Sequence, residues 1–305
     1  MSVAACRYTT VPEGGGTTNG AMVFMREDAT GWFVTAINGD GSGQRDLTGP
    51  LLGLTWPALS ADHSRIAYVS TASPAGIWVM KADGTGAHSI LPTSDMRGPI
   101  SWAPDGTQLA IAAANVIGDG GAGIVLVDSD GTNTRTLDTG QGDIGAPAWA
   151  PDGKHIAYMA GPYPFTSGIY QMNLDASNPT LIYALNNQFT GDPTWSPDGT
   201  RIAFAYGPPN VVTDGIGVIL TAGGIAVVNA DGTDARFLTP LDTTRFEPFD
   251  RRPTWSRDGQ WIAFDRGQPD ADPKNKESDI YVMRANGSRL APLTNADGPN
   301  LAPSW

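Results

Sequence analysis

The sequence predicts an all-β fold, a six-bladed β-propeller built from four-stranded blades. Three observations carry that prediction. A motif combining Trp with a Pro-Asp-Gly turn recurs along the chain. Each repeat holds short β-branched and aromatic runs bounded by turn formers, which is the strand signature. The strands that the last repeat lacks stand at the start of the chain.

Composition agrees. Gly (38) and Pro (24) make up about a fifth of the 305 residues, against roughly 12% in average usage. Both are poor inside helices, so a helical bundle is disfavoured. Hydrophobic residues (40%) suffice for a core, and 16% of residues are charged. With 31 acidic and 19 basic residues the net charge is −12. Nucleic-acid binders normally carry a basic patch, so no nucleic-acid partner is expected. No run of about 18 apolar residues occurs, so no transmembrane segment is expected.

Residues 1–20 read as a flexible N-terminal tail, with Gly14 to Gly20 linker-like in composition. Cys6, the single cysteine, cannot form an internal disulfide. It is either a plain tail residue or, with Val3, Ala4 and Ala5, the end of a lipoprotein export signal. The expected location is the periplasm or exterior of a bacterium, with the cytoplasm as the alternative.

The first strands follow at Met22–Phe24, Val34–Ile37 (closed by Asp40-Gly41) and Arg45–Thr48. They match the second, third and fourth strands of a repeat. The tryptophan motif then stands at Trp56 in a looser form, at Trp102, Trp149, Trp195 and Trp255, and, without its turn, at Trp305. Intervals of 46 to 60 residues fit a four-stranded blade. After each Trp-x-Pro-Asp-Gly turn comes an apolar strand, as in Arg201-Ile-Ala-Phe204. A second one follows, as in Ile280-Tyr-Val-Met283, and ends in an Asp-Gly or Asn-Gly turn. Glycine there accepts positive φ cheaply. A short last strand ends near Leu-Thr.

Six tryptophans but five complete repeats imply that residues 300–305 pair with residues 21–48. Closing the ring in this way removes unpaired strand edges. Residues 21–305 therefore read as one domain, expected to be a monomer.

The repeat Trp-Ser-Pro-Asp-Gly-x-x-Ile-Ala-Phe … Ile-Tyr-Val-Met … Asp-Gly … Leu-Thr resembles the propeller of the TolB family, and also the propellers of prolyl-oligopeptidase-type enzymes. The resemblance covers residues 21–305. It implies strands ordered from the channel outward, with the Asp-Gly turns on one face and the inter-blade loops on the other. It leaves activity open, because propellers host many functions. TolB proteins carry an α/β domain before the propeller, whereas about 20 residues precede the first strand here.

Binding residues concentrate on the longer, more variable loops of such a scaffold. The inter-blade segments supply Arg97, Asp143, Phe189, Asp192, Arg245, Glu247, Asp250, Arg251, Arg252, Asp297 and Asn300 as candidate ligand-binding residues at the channel mouth. Arg251 and Arg252 present paired donors suited to a carboxylate. The insertion at residues 207–224 is apolar for a loop and reads as an extended hairpin or a partner-binding patch.

No Gly-x-Ser-x-Gly elbow occurs. His63, His88 and His155 all fall on the turn face, away from the mouth. No catalytic residue and no metal ligand are assigned, and no cofactor is expected. Asp270, Asp272 and Asn275 offer oxygens to a calcium ion, with a solvated loop as the competing reading. The expected function is non-enzymatic binding of a protein, peptide or small ligand at the mouth. The alternative is a carbohydrate-binding or carbohydrate-active propeller, a lyase or hydrolase, with Phe189, Phe246 and Phe249 stacking on sugar rings.

Overall fold

The computed structural model describes residues 21–53, 56–72, 74–92, 96–117, 121–140, 144–161, 167–208, 211–213, 218–220, 223–241, 249–267, 278–295 and 298–305. Strands β1 (Ala21–Asp28), β2 (Gly31–Asn38) and β3 (Arg45–Asp46) open the chain. Blade 1 is β4 (Ala58–Leu59), β5 (Arg65–Ser70), β6 (Gly76–Lys81) and β7 (His88–Pro92). Blade 2 is β8 (Met96–Trp102), β9 (Gln108–Ile117), β10 (Gly121–Asp128) and β11 (Arg135–Leu137). Blade 3 is β12 (Ile144–Trp149), β13 (His155–Ala160), β14 (Gly168–Asn173) and β15 (Thr180–Ala184).

Blade 4 is β16 (Phe189–Trp195), β17 (Arg201–Gly207), β20 (Gly224–Asn229) and β21 (Arg236–Phe237). Its insertion carries a separate antiparallel pair, β18 (Val211–Thr213) with β19 (Val218–Leu220). Blade 5 is β22 (Phe249–Trp255), β23 (Trp261–Gly267), β24 (Ser278–Arg284) and β25 (Ala291–Pro292). Blade 6 is composite: β26 (Asn300–Ser304) pairs antiparallel with β1, ahead of β2 and β3.

The ring closes as the sequence predicts. The first strands β4, β8, β12, β16, β22 and β26 each form a sheet edge, and they contact one another in cyclic order back to β4. They therefore surround the channel. Six apolar clusters fill the six gaps between neighbouring blades. One joins blade 6 to blade 1 through Val23, Val34 and Ala36 against Ile66, Tyr68 and Met80. The repeat tryptophans wedge into these gaps: Trp102 shares a cluster with Ala58 and Val79, Trp255 with Ala203 and Val227, and Trp305 packs against the cluster that holds Ala263 and Ile280. Removing such a buried ring costs about 3–5 kcal/mol.

One repeat position differs from expectation. The backbone N–H groups of Ser60, Ala103, Ala150, Ser196 and Ser256 bond alike to the carbonyl five residues on. Counting back one residue, the partner of Trp102 in blade 1 is Leu59. Trp56 stands three residues earlier, before Pro57.

The turn aspartates act as the repeat chemistry requires. Asp62, Asp105, Asp152, Asp198 and Asp258 each accept the backbone N–H two residues on, at 2.8–3.0 Å. Hydroxyls reinforce them, as Ser196 and Thr200 do at Asp198. These bonds favour the charged form and hold the carboxyls of Asp62 and Asp198 down at about 2.

Candidate functional site

The channel is lined by six inner strands that share an irregularity. In each, a residue preceding a proline has positive φ: Trp56 (35°), Gly98 (92°), Ala146 (46°), Asp192 (51°), Arg252 (52°) and Ala302 (50°). In four blades two residues stand opposite one. Gly145 pairs with Met159 and Ala148 with Ala157; Gly191 pairs with Ala205 and Thr194 with Ala203; Arg251 pairs with Asp265 and Thr254 with Ala263. The same offset separates Val23 from Met25 opposite Ser304 and Leu301. These are β-bulges, which bend the strand and re-aim side chains. Five of the six residues are not glycine, and positive φ costs each of them on the order of 1–2 kcal/mol.

Four charged side chains gather where this ring passes through blades 4 and 5. Asp192 and Arg252 sit at the bulges, with Arg251 beside them and Asp265 opposite on β23. Arg252 Nε stands 3.4 Å from Asp265 Oδ1, and Arg251 Nε stands 3.9 Å from Asp192 Oδ2. Ala302 in blade 6 donates its backbone N–H to Asp265 Oδ1 at 3.1 Å. Asp265 is fully buried, whereas the Arg251, Arg252 and Asp192 side chains keep 21%, 18% and 13% of their exposure. The Oδ2 atoms of Asp192 and Asp265 are buried and accept no hydrogen bond among the described residues.

Burial pushes the Asp265 carboxyl above its ordinary value, against the pull of Arg252 and Arg251. Burial likewise pulls Arg252 down, against the attraction of Asp265. Its guanidinium nevertheless remains a cation. The quartet is neutral as a whole, but its pairs are long. The spare capacity shown is on the acidic half, at the two Oδ2 atoms.

Two other predicted residues are committed to the fold. Asp250 is buried and receives both Nε and Nη2 of Arg266, at 2.6 and 2.7 Å. Such a fork is the strong form of the interaction, and Phe264 and Tyr281 stack on the same guanidinium. Asn300 is buried, with its amide donating to Asp279 Oδ1 and Gly298 O at 3.2 Å.

Two of the three phenylalanines named for stacking, Phe189 and Phe249, are engaged within the fold. Phe189 is 4% exposed in the cluster between blades 4 and 5. Phe249 lies across Gly267, where a side chain would collide with its ring. Arg97 lies on β8. Asp143, Arg245, Phe246, Glu247, Asp297, Asp270, Asp272 and Asn275 lie outside the described residues. Sequence reading passed over Asp265, which reads as the first residue of a polar loop. A signal was present: the X-Pro pair recurs shortly before each inner-strand tryptophan or its Leu59 counterpart.

A family model described as the TolB beta propeller domain matches residues 16–305. The chain belongs to the TolB beta propeller family. Among solved structures, TolB from Acinetobacter baumannii superposes with a TM-score of 0.75 at 18% identity, covering 95% of this chain and 67% of that one. A putative TolB from Agrobacterium tumefaciens gives 0.68 at 20% identity, covering 91% and 90%. Oligogalacturonate lyase from Vibrio parahaemolyticus gives 0.56 at 15% identity, covering 88% and 73%. At these identities the likeness is one of fold. No curated protein matches the chain. In this TolB-type propeller Asp192, Arg251 and Arg252 stand on the inner strands β16 and β22, the part of the ring nearest any ligand entering the channel, and Asp265 stands behind them on β23.

Proposed function

We propose that this TolB-type propeller is a non-enzymatic binding protein that takes a peptide segment of a protein partner at the channel mouth, in the periplasm of a bacterium. The observation that carries the reading is the quartet of Asp192, Arg251, Arg252 and Asp265. Its carboxylates retain buried acceptor atoms, and its ion pairs span 3.4 and 3.9 Å, with both arginine side chains partly exposed. A peptide offers N–H donors to those acceptors and a carboxylate that can approach the partly exposed guanidinium groups. The carbohydrate alternative has less support, since Phe189 is buried and Phe249 covers a glycine.

The test is a titration calorimetry screen of pentapeptides with free termini. We expect a subset to bind, and Arg251→Gln to weaken that binding about tenfold, the effect of one charge-assisted hydrogen bond. Binding indifferent to Arg251→Gln, or no peptide binding at all, overturns the assignment.

A further inference from the structure

On the opposite face, where the Asp-Gly turns lie, blades 4 and 5 enclose a groove of about 590 Å³. Arg201, Arg236, Arg284 and Arg289 line it, with Asp234 as the one acidic residue among its lining. Such a concentration is unexpected in a chain of net charge −12. From it we infer a second binding site, for a compact ligand carrying two or more oxyanions, carboxylate or phosphate.

Two of the arginines are held in place. Arg201 lies over the Trp255 ring at 4.7 Å and Arg284 over Trp261 at 4.3 Å. Stacking orients the planar fork and leaves its edge N–H groups outward, the geometry that oxyanions fit. Three side-chain acceptors of the lining are already engaged. Gln260 Oε1 accepts from Arg284 Nη1 at 3.0 Å, Asn286 Oδ1 accepts from Ser288, and Asp234 pairs with Arg236 at 2.7 Å. The Gln260 and Asn286 amide groups are left with donors to offer.

The chain supplies its own comparison. Arg65 opens β5 as Arg201 opens β17, and it also stacks on the next blade's tryptophan, Trp102, at 4.9 Å. Its fork is consumed: Nη1 donates to Ser129 Oγ at 3.0 Å and Nη2 to Gly106 O at 2.6 Å. The places of Gly106 and Ser129 are taken in blade 5 by Gly259 and Ala285. Ser129 N bonds to Thr107 O as Ala285 N bonds to Gln260 O. A methyl group accepts nothing, and Arg201 makes neither clamp bond among the described residues. The same repeat position is a structural clamp in blade 1, while in blade 4 the arginine lacks both clamp bonds among the described residues and has the Asp198 carboxylate as a charged neighbour. The volume is within the roughly 300–1,000 Å³ of small-ligand sites.

The experiment titrates the whole chain with pyrophosphate in one arm and citrate in the other, followed by tryptophan fluorescence and calorimetry at constant ionic strength. We expect sub-millimolar binding in at least one arm, and the stronger arm names the oxyanion. Arg201→Gln with Arg284→Gln should weaken it tenfold or more, while Arg65→Gln leaves it unchanged. Ala285→Ser restores the acceptor that captures Arg65. It should weaken anion binding with the melting temperature unchanged or raised, which separates lost binding from lost folding. No binding in either arm at millimolar concentration, binding that survives the double substitution, or binding indifferent to Ala285→Ser overturns the proposal.

Discussion

Ser304 Oγ accepts the backbone N–H of Leu59 at 2.9 Å, a bond between residues 245 positions apart. It ties the last inner strand to the first. Ser101 does the same for Trp149 at 2.8 Å, so the closing joint uses a device found elsewhere in the ring. β26 therefore both completes blade 6 and anchors blade 1.

Deleting residues 300–305 should lower the melting temperature sharply, because it bares the edge of β1 and removes Trp305 from its cluster with Ala263 and Ile280. Ser304→Ala should cost about 1 kcal/mol, for an unmatched backbone N–H, or roughly 1–2 °C in a chain of this size. Thermal denaturation measures both. A truncated chain with an unchanged melting temperature would contradict the closure.

Arg252→Ala should destabilise the fold by about 3–5 kcal/mol, because fully buried Asp265 loses its nearest cation. Arg251→Gln should cost much less, since its pair with Asp192 is looser and partly exposed. Asp265→Asn in the Arg252→Ala background should recover part of the loss. Denaturant unfolding of the four proteins in that cycle gives the coupling, and simple additivity would refute it.

Acid should unfold the ring through its turns. The carboxyls of Asp62 and Asp198 are held at about 2, below their ordinary 3.8. The unfolded chain thus binds protons first, so the stability these groups give is complete above about pH 4 and lost as the pH falls towards 2. Asp265 runs the other way. Its carboxyl is raised by burial, so its contribution weakens as the pH rises from the unfolded to the folded value. Asp198→Asn should cost about 1 kcal/mol at neutral pH and flatten the loss between pH 4 and pH 2. Stability curves at several pH values test this, and an unaltered acid slope would refute it.

Ala146→Gly should stabilise the protein by roughly 0.5–1 kcal/mol, although glycine usually weakens a strand. Ala146 holds φ at 46° at its bulge, where glycine escapes the left-handed penalty. A lower denaturation midpoint would show that the bulge is not strained.

Much of this was legible in the sequence, and the exceptions have physical causes. The Trp and Pro-Asp-Gly repeat marks the blades because turn chemistry and strand burial are local, and they repeat with the period. The composite blade follows from counting strands. Trp56 misled as a repeat tryptophan because the motif identifies residue types, whereas register follows the hydrogen bonds that place Leu59 there. Phe189 and Phe249 are aromatic residues in variable segments, and nothing local distinguishes a ring that stacks on a ligand from one folded over a neighbouring glycine.

The sequence by itself determined the repeat, the number of blades and the closing strand, because each depends on residues close together or on their count. Tertiary structure alone decided which charges meet. Asp265 reaches Arg252 across a strand pair and Ala302 across a blade joint, while Asp250, two residues from Arg252, is sealed by Arg266. Alternate residues on a strand point to opposite faces, and a bulge shifts that alternation by one. Adjacent arginines and aspartates can therefore have different fates, set by long-range pairing that no short stretch of sequence records.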